Sequence, residues 1–539
     1  MPHTVTRSFF LSLTTILFFA TQAQTTALWG RKQGMYGGTF GVGTDQYANV
    51  YATGFITSPA SFDTLVFPCE PVDPFIVKYA ANGVLQWAHT VPPGGGNAKA
   101  IAVDADGNSV VGGEFGSNGI CASYDANGAL LWSQGFTPLG PGYMGVNSVA
   151  LDDAGNIYLS GFFSGTLVLD GDTLHPASWN AASQDIFLMK LTSTGEVLWV
   201  TEAGGIWGGD DGLGLAVDAS GNAAITGRFQ GTAYFQTDTI IGNDPMGGGG
   251  NSIFFAKYDT GGTELWVKGV TSGGPVDGGV SLVFDDQGNL YSAGVCSSSI
   301  AYFDTLTYQP ASGQDMFLVK FDADGHGQWI RNAGGTGGVQ YDAARTLTLY
   351  HGTQVVTSGA VAPIVPEFDG IALAPVGDPT MFLAGYDTDG NVAWAKTYEL
   401  GTINSVASAS DSTLVVGGTF GVSAFGAIVH LDTVPLDHYN RTAFVAKMAM
   451  ADLSTGFIEL THEAGAGLFP NPVSELLMIT INGPMTLPVA FTITDARGRI
   501  VTRGQLSPSV SAMEVTAFAN GHYTLRTSDG RIGRFIVQH

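Results

Sequence analysis

The sequence predicts an all-β chain: a seven-bladed β-propeller closed by an N-terminal strand and followed by a small C-terminal β-sandwich. Three observations carry that prediction. A strand-turn-strand phrase recurs along the body, a tryptophan ends most of the repeats, and texture and charge change abruptly near residue 460. Composition points the same way, because 76 Gly in 539 residues with only 12% charged residues suits short strands and tight turns. No extended helical periodicity appears after residue 23.

Residues 1–23 open lightly basic at Arg7, run apolar from Phe9 to Ala20, and end in small residues before a cut after Ala23. This reads as a secretory signal peptide. The run is too short for a bilayer span and is interrupted by Ser12, Thr14 and Thr15, so no transmembrane helix is expected in the mature chain.

Residues 24–455 hold the repeats. An apolar strand ending in Asp, a Gly-Asn turn and a strand ending in Gly recur as "IAVDADGNSVVGG" from Ile101, "VALDDAGNIYLSG" from Val149, "LAVDASGNAAITG" from Leu215 and "LVFDDQGNLYSAG" from Leu282. Weaker relatives are "GVGTDQYANVYATG", "LTLYHGTQVVTSG" and "VASASDSTLVVGG". A second phrase follows each one: an apolar strand, usually with a Lys, then a Gly turn and a strand carrying Trp, as in "FIVKYAANGVLQW" and "IFFAKYDTGGTELW". Each repeat therefore supplies four strands, A to D, joined as antiparallel hairpins.

Trp87, Trp132, Trp199, Trp266, Trp329 and Trp394 end six repeats, whereas the seventh reaches "AFVAKMAMADLSTG" without one. The stretch "TALWGRKQGMYGG", with Trp29, has a D strand's texture and nothing before it to pair with, so it is expected to complete the seventh blade. Such a clasp removes the exposed edges that an open array would leave. These phrases resemble the SBBP-type β-propeller repeat over about residues 27 to 450, best at Asp152 to Gly161 and Asp285 to Gly294. The Gly-Asn turn is lost at His351 to Thr353 and at Asp411 to Thr413, where spacing alone assigns the blades. The resemblance implies a fold and carries no catalytic residues.

Residues 466–539 hold six Arg against four acidic residues, while residues 24 to 465 carry 14 Lys and Arg against 42 Asp and Glu, which marks a domain boundary. The segment resembles the C-terminal sorting domain of the type IX secretion system, on Phe469, Pro470, Asn471 and Pro472 at its entry, the Asp495 to Gly498 turn, Gly521, His522 and Tyr523, and a basic-apolar end through Arg534 and Phe535. The resemblance implies the type IX secretion machinery as a partner, passage across the outer membrane, and a secreted or surface location. An acidic body excludes nucleic acid and anionic membranes, both of which need basic patches.

No HExxH, GxSxG, Walker-type loop or dinucleotide fingerprint occurs. No cofactor is expected. The strings at Asp104 and Asp106, Asp322 and Asp324, and Asp387 and Asp389 begin like calcium loops but lack the bidentate Glu twelve positions along, and hairpin-turn capping is the plainer account. Cys69, Cys121 and Cys296 have no metal spacing; a Cys69–Cys121 bridge and buried free thiols are both open. The strand-C lysines Lys78, Lys190, Lys257, Lys320 and Lys447 are expected to bridge repeat aspartates.

The binding candidates are the D-to-A loops, "GGIWGGDDG", "GGPVDGG", "GGVQYDA" and "PGYMG", which converge near a propeller's axis. Asp210, Asp211, Asp277 and Asp342, with Trp207, Tyr341 and Tyr143, would form an acidic, aromatic-edged mouth for a cation, a sugar or a basic peptide. The leading expectation is a non-catalytic exported module that binds an extracellular glycan or protein, or adheres. Its rival is an extracellular hydrolase or lyase with an acidic site at that mouth.

Overall fold

The computed structural model describes residues 25–33, 37–57, 60–62, 65–67, 72–169, 171–177, 183–243, 250–310, 313–335, 342–362, 366–369, 371–373, 379–420, 428–431, 434–437, 442–450, 466–469, 476–481, 489–495, 499–506, 510–527 and 532–537. The expected signal segment, Cys69, Tyr341 and Pro470 to Pro472 lie outside these residues. Every regular element described is a strand, and no helix is long and apolar enough to cross a membrane. The chain divides into two compact units, Met1–Leu453 and Ser454–His539.

In the first unit small antiparallel sheets repeat the order A-B-C-D. The first sheet is Gly37–Thr44, Val50–Ile56, Asp73–Tyr79 and Leu85–Thr90. The second is Gly96–Val103, Ser109–Phe115, Asn118–Tyr124 and Leu130–Phe136. The third is Met144–Leu151, Ile157–Phe163, Asp185–Leu191 and Val197–Ala203. The fourth is Asp211–Val217, Ala223–Phe229, Asn251–Tyr258 and Glu264–Gly274. The fifth is Gly278–Phe284, Leu290–Cys296, Asp315–Phe321 and Gly327–Gly335.

Ala343–Tyr350, Gln354–Val361, Thr380–Asp387 and the first half of Val392–Ser408 follow as the sixth. The second half of that strand pairs with Thr413–Phe420, which pairs with Ala443–Met450, which in turn pairs with Thr25–Gln33, placing Trp29 opposite Lys447. The strand ending the sixth repeat at Trp394 and the strand opening "VASASDSTLVVGG" are continuous. One long strand forms because the D-to-A connection has shrunk to the Leu400–Gly401 step, leaving no loop to separate them.

Successive A strands touch, and Gly37–Thr44 touches Val392–Ser408: Val42 N donates to Ser405 Oγ at 3.1 Å and Asn404 Nδ2 to the Thr39 carbonyl at 3.0 Å. Between sheets the core is layered. Phe187, Met189 and Leu191 of the third sheet pack toward Val110, Cys121 and Phe136 of the second, and Ile186 and Leu188 pack the other way, onto Ile225 and Phe254 of the fourth. Period-two alternation thus loads both faces of each C strand, at about 1.5–3 kcal/mol for each large side chain buried.

The A-to-B turn explains the Asp-x-x-Gly-Asn phrase. Asp152 Oδ1 accepts from Asn156 N at 2.8 Å, Oδ2 accepts from Asn156 Nδ2 at 2.8 Å, and Gly155 sits at φ 79. Asp104, Asp218 and Asp285 repeat the arrangement with Asn108, Asn222 and Asn289.

The C-to-D turn explains the tryptophans. Trp29, Trp87, Trp132, Trp199, Trp266 and Trp329 each donate Nε1 to a backbone carbonyl in the C-to-D turn of the next sheet, those of Ala81, Ala126, Ser193, Thr260, Ala323 and Thr388, at 2.9–3.3 Å. Each indole lies against the turn glycine there. A Cβ on Gly262 would stand 2.7 Å from Trp199 Cδ2, and Gly262 is held at φ 83. Trp394 departs from the pattern for a topological reason. Strands C and D of the seventh sheet come from the two ends of the repeat region, so no C-to-D turn joins them, and Trp394 bonds Gln354 Oε1 at 3.2 Å instead.

The strand-C lysines join this clamp. Lys190 and Lys257 bridge Asp152 and Asp218 at 3.3 and 3.1 Å, Lys78 lies 3.7 Å from Asp45, and Lys447 bonds Asp411 at 2.6 Å. Lys320 donates to the Thr388 carbonyl at 3.2 Å and lies over the Tyr291 ring.

In the second unit, Ala466–Phe469, Leu476–Ile481 and Val510–Glu514 form one sheet, and Ile500–Leu506, Val489–Asp495, Gly521–Thr527 and Ile532–Val537 another. Leu477, Ile493, Tyr523, Leu525 and Val537 form the core they share. Arg499 N donates to Asp495 Oδ1 at 2.9 Å in the expected turn, and Tyr523 Oη donates to the Ala519 carbonyl at 2.7 Å.

Gly262→Ala should lower stability by about 2–4 kcal/mol, from the left-handed backbone and the Trp199 contact together. Gly140→Ala, at φ 78 with nothing within 4 Å of its new Cβ, should lose only about 1 kcal/mol. Urea unfolding of both variants measures the difference.

Candidate functional site

The residue before strand A and the residue after strand B meet in each of three successive sheets. Asp210 Oδ1 accepts from Gln230 N at 2.9 Å, Asp277 Oδ1 from Ser297 N at 2.6 Å, and Asp342 Oδ1 from Ala362 N at 2.6 Å. In the third sheet the roles reverse, and Tyr143 N donates to Ser164 Oγ at 3.0 Å. The D-to-A and B-to-C connections are therefore neighbours, tied by a recurrent latch.

That latch places the acidic candidates differently from an open mouth. Asp210 and Asp277 are fully buried and Asp342 nearly so. Asp277 also accepts from Gly274 N and from the hydroxyls of Ser297 and Ser298, and Asp210 from Gly205 N. Their oxygens are taken up by the backbone N–H groups that strand B leaves at its end, and in Asp210 and Asp277 also by an N–H of the preceding loop, since such donors need acceptors. Burial pushes the Asp210 carboxyl well above the usual carboxylate range. Trp207 and Tyr143 stand exposed on the same loops.

Asp211 joins other partners. Asn147 Nδ2 donates to its Oδ1 at 2.6 Å, Arg228 Nη2 lies 3.4 Å from its Oδ2, and Asn147 Oδ1 accepts from Lys99 Nζ at 3.1 Å. Lys99 also pairs with Glu114 at 2.8 Å. The result is a polar chain running across the second, third and fourth sheets. Lys99 and Asn147 occupy bulge positions, as do Phe40, Leu213, Val280, Arg345 and Asn404, one per A strand. The sequence signal for these residues was a break in period-two alternation within each A strand, which a strand-by-strand reading passes over.

The Asp strings cap turns. Asp322 Oδ1 accepts from Asp324 N and His326 N, Asp387 Oδ1 from Asp389 N and Asn391 N, and Asp106 Oδ1 accepts from Gln46 Nε2. Among the described residues no three His, Cys, Asp or Glu side chains gather as a metal site. Cys121 and Cys296 are buried free thiols, and burial beside Asp277 pushes the Cys296 thiol up to about 12.

Sequence reasoning also missed a pair of carboxylates in a cavity of about 430 Å³ between the third and fourth sheets. Asp185 opens strand C and is 2% exposed; its Oδ2 accepts from Ala177 N at 2.6 Å and its Oδ1 has no partner. Glu202, on the adjoining strand, accepts from His175 N at 3.0 Å. Burial pushes Asp185 up to about 7, against the Ala177 hydrogen bond and with Glu202 adding repulsion; burial raises Glu202 as well. No single motif flags this pair, since the two residues belong to different strand phrases.

Asp185 gives a pH prediction. In the unfolded chain its carboxyl ionises near pH 4, whereas in the folded protein it keeps its proton up to about pH 7. The folded state binds the extra proton in that window, so this group's contribution to stability falls as pH rises through it. Asp185→Asn should match the parent near pH 4 and exceed it by about 2–4 kcal/mol at pH 8, read by urea unfolding at both values.

Comparison with known proteins gives two curated relatives. Regulatory protein FlaEY of Caulobacter vibrioides is 29% identical over 175 residues, covering 32% of this chain and 18% of that protein. An uncharacterized WD repeat-containing protein of Acanthamoeba polyphaga mimivirus is 23% identical over 469 residues, covering 70% of this chain and 33% of that protein. The chain thus spans a third or less of either relative's length. Among solved structures, quinohemoprotein alcohol dehydrogenase ADHIIG of Pseudomonas putida aligns at a TM-score of 0.39 and 13% identity, over 84% of this chain and 79% of that one. Residues 467–538 match the family model of the secretion system C-terminal sorting domain, so this chain ends in a sorting domain that directs export to the cell surface or beyond.

Proposed function

We propose that residues 24–455 form a seven-bladed, SBBP-like propeller clasped by Thr25–Gln33. In this reading the exported protein works as a surface or secreted module that binds an extracellular glycan or protein, after a signal peptide and the type IX machinery have delivered it. The observation that carries the reading is the sorting-domain match at 467–538, which gives the body an extracellular workplace. The loop latches support the binding half. The Asp210 latch and the Tyr143–Ser164 bond tie down the two loops that present exposed Trp207 and Tyr143, and a tied loop suits recognition at low entropic cost.

The pairing of Thr25–Gln33 with Ala443–Met450, and the A-strand contact between Gly37–Thr44 and Val392–Ser408, support the clasped ring. A second reading, a hydrolase, is favoured by one observation: Asp185 and Glu202 share a cavity and both carboxyls are raised, as general acids are.

Two measurements test the function. Deleting residues 467–539 should leave the body in the periplasm, whereas the full chain reaches the surface or the medium; equal export of both forms would refute the sorting role. The full chain should bind members of a glycan and matrix-protein array, and Trp207→Ala with Tyr143→Ala should weaken those hits at least about tenfold if the loops make the contact. Silence across the array, with turnover of glycoside or ester substrates that Asp185→Asn abolishes, would establish the hydrolase.

A further inference from the structure

Between strands B and C, six of the sheets carry a short hairpin. These are Ala60–Phe62 with Leu65–Phe67, Leu167–Leu169 with Asp172–Leu174, Thr232–Tyr234 with Thr239–Ile241, Ala301–Phe303 with Leu306–Tyr308, Pro366–Phe368 with Ile371–Ala372, and Ile428–Leu431 with Val434–Asp437. The second sheet has none. There Phe115 and Asn118 pair directly across Gly116 and Ser117, with Gly116 at φ 57.

The hairpins share one way of seating. Each of four lies on strand D, or its end, of the preceding sheet: Phe62 pairs with Gln33, Tyr302 with Thr271, Phe368 with Ala333, and Tyr234 exchanges two backbone hydrogen bonds with Gly204. A hairpin aromatic packs on a strand-C phenylalanine, as Phe62 on Phe75, Phe235 on Phe254, Phe303 on Phe317 and Phe368 on Phe382, with ring centroids 4.8–5.6 Å apart.

In three of these hairpins the polar residue after that aromatic also docks, Gln236 and Asp304 twice and Asp369 once. Gln236 Nε2 donates to Thr201 Oγ1 at 3.0 Å and its Oε1 accepts from Glu264 N at 2.9 Å. Asp304 accepts from Gly327 N at 3.1 Å and faces Lys268 at 3.8 Å; Asp369 faces Arg331 at 3.7 Å.

The side-chain receiving positions exist without a hairpin between the first and second sheets, and Pro92 stands where Gly204 pairs, offering a carbonyl but no N–H. Thr201, Lys268 and Arg331 each lie two residues past the strand-D Trp, and His89 holds that place after Trp87. Gly262 and Glu264 correspond to Gly128 and Leu130. His89, Thr90, Phe115, Tyr124, Gly128 and Leu130 line an open cavity of about 670 Å³. Ile120 stands where the other strands C carry Phe, and it is buried against Val91 and Phe115. Tyr124 is 2% exposed and its Oη has no hydrogen-bond partner, while Leu130 is 47% exposed. His89 lies between Trp87 and Tyr124, with ring centroids at 5.4 and 6.3 Å.

We propose that this groove is a docking site for an extended segment of a partner polypeptide, one carrying an aromatic residue followed by an acidic or amide one, which seats as the missing hairpin would. The chain's own hairpins define that occupant: a backbone N–H donated to the Pro92 carbonyl at the end of strand D, the ring in the cavity beside Phe115 and Tyr124, and the polar side chain reaching His89 and the Leu130 N–H. Tyr124 Oη offers a further hydrogen bond to the incoming backbone. The proposal rests on the reading of the protein as a binding module, and names a site and partner class for it.

The test uses the full chain and the peptide SIAYFDTLTYQP, which is residues 299–310 of this chain, labelled and followed by fluorescence polarisation. Saturable binding is expected, weakened at least about tenfold when the peptide Phe is replaced by Ser. His89→Asp should weaken the native peptide and favour a version with Lys in place of the Asp. A variant in which residues 297–314 replace Gly116 and Ser117 supplies its own hairpin; it should melt no lower than the parent and bind no peptide. Undiminished binding to that grafted variant overturns the proposal, as does absence of saturable binding to the parent. Concentration-dependent dimers lost on grafting would overturn it too, by assigning the groove to a second copy of the chain. Array hits that persist in the grafted variant would overturn the groove alone and leave the binding module standing, whereas an array without hits removes that broader reading.

Discussion

The hydrogen bond from six of the seven strand-D indoles to the next sheet's C-to-D turn is the interaction on which the rest of this body depends. Backbone pairing holds each sheet together but says nothing about its neighbour. The indole joins them, and three sequence features follow from it. The turn must expose a carbonyl, its glycine must take a positive φ, and no Cβ can stand under the ring, which is why Gly83, Gly128, Gly195, Gly262, Gly325 and Gly390 recur at that point. The strand-C lysines answer the same geometry from the other side. Lys78 and Trp87 reach one carbonyl, that of Ala126, and Lys190 and Trp199 share that of Thr260. A buried lysine is costly unless it is paired, and the turn aspartates supply the pairing.

Much of this was legible because it repeats. The Asp-x-x-Gly-Asn turns, the Trp spacing and the place of Trp29 in the sheet of Ala443–Met450 could each be read from residues alone, since a local rule at one site is checked by its copies at the others. The candidate site was less legible, for a definite reason. Asp277 and Asp342 were read as solvent-facing because acidic residues in Gly-rich loops commonly are. Their burial depends on backbone N–H groups at Ser297 and Ala362, and whether a strand end leaves such donors unpaired is a matter of three-dimensional path. The A-strand bulges escaped notice because one extra residue shifts the alternation without erasing it.

The differences among repeats hold as much information as the likenesses. The second is the shortest because it lacks the B-to-C hairpin, and Ile120 and His89 differ from their counterparts at the very positions which that hairpin would touch. The Asp185 and Glu202 cavity is the complementary case, a gap where the hairpin is present and polar groups collect beside it. Variation therefore falls in the grooves between sheets, while the clamp that joins the sheets stays constant.

The pairing of Thr25–Gln33 with Ala443–Met450 also shapes how the protein comes to be folded. The first strand waits for almost the whole body before its partner exists, so the entropy of closing one very large loop must be met late and all at once. Until then strand D of that sheet is an unpaired edge, open to wrong partners. A chain built this way can pair those two strands only when both stand on the same side of any membrane it crosses.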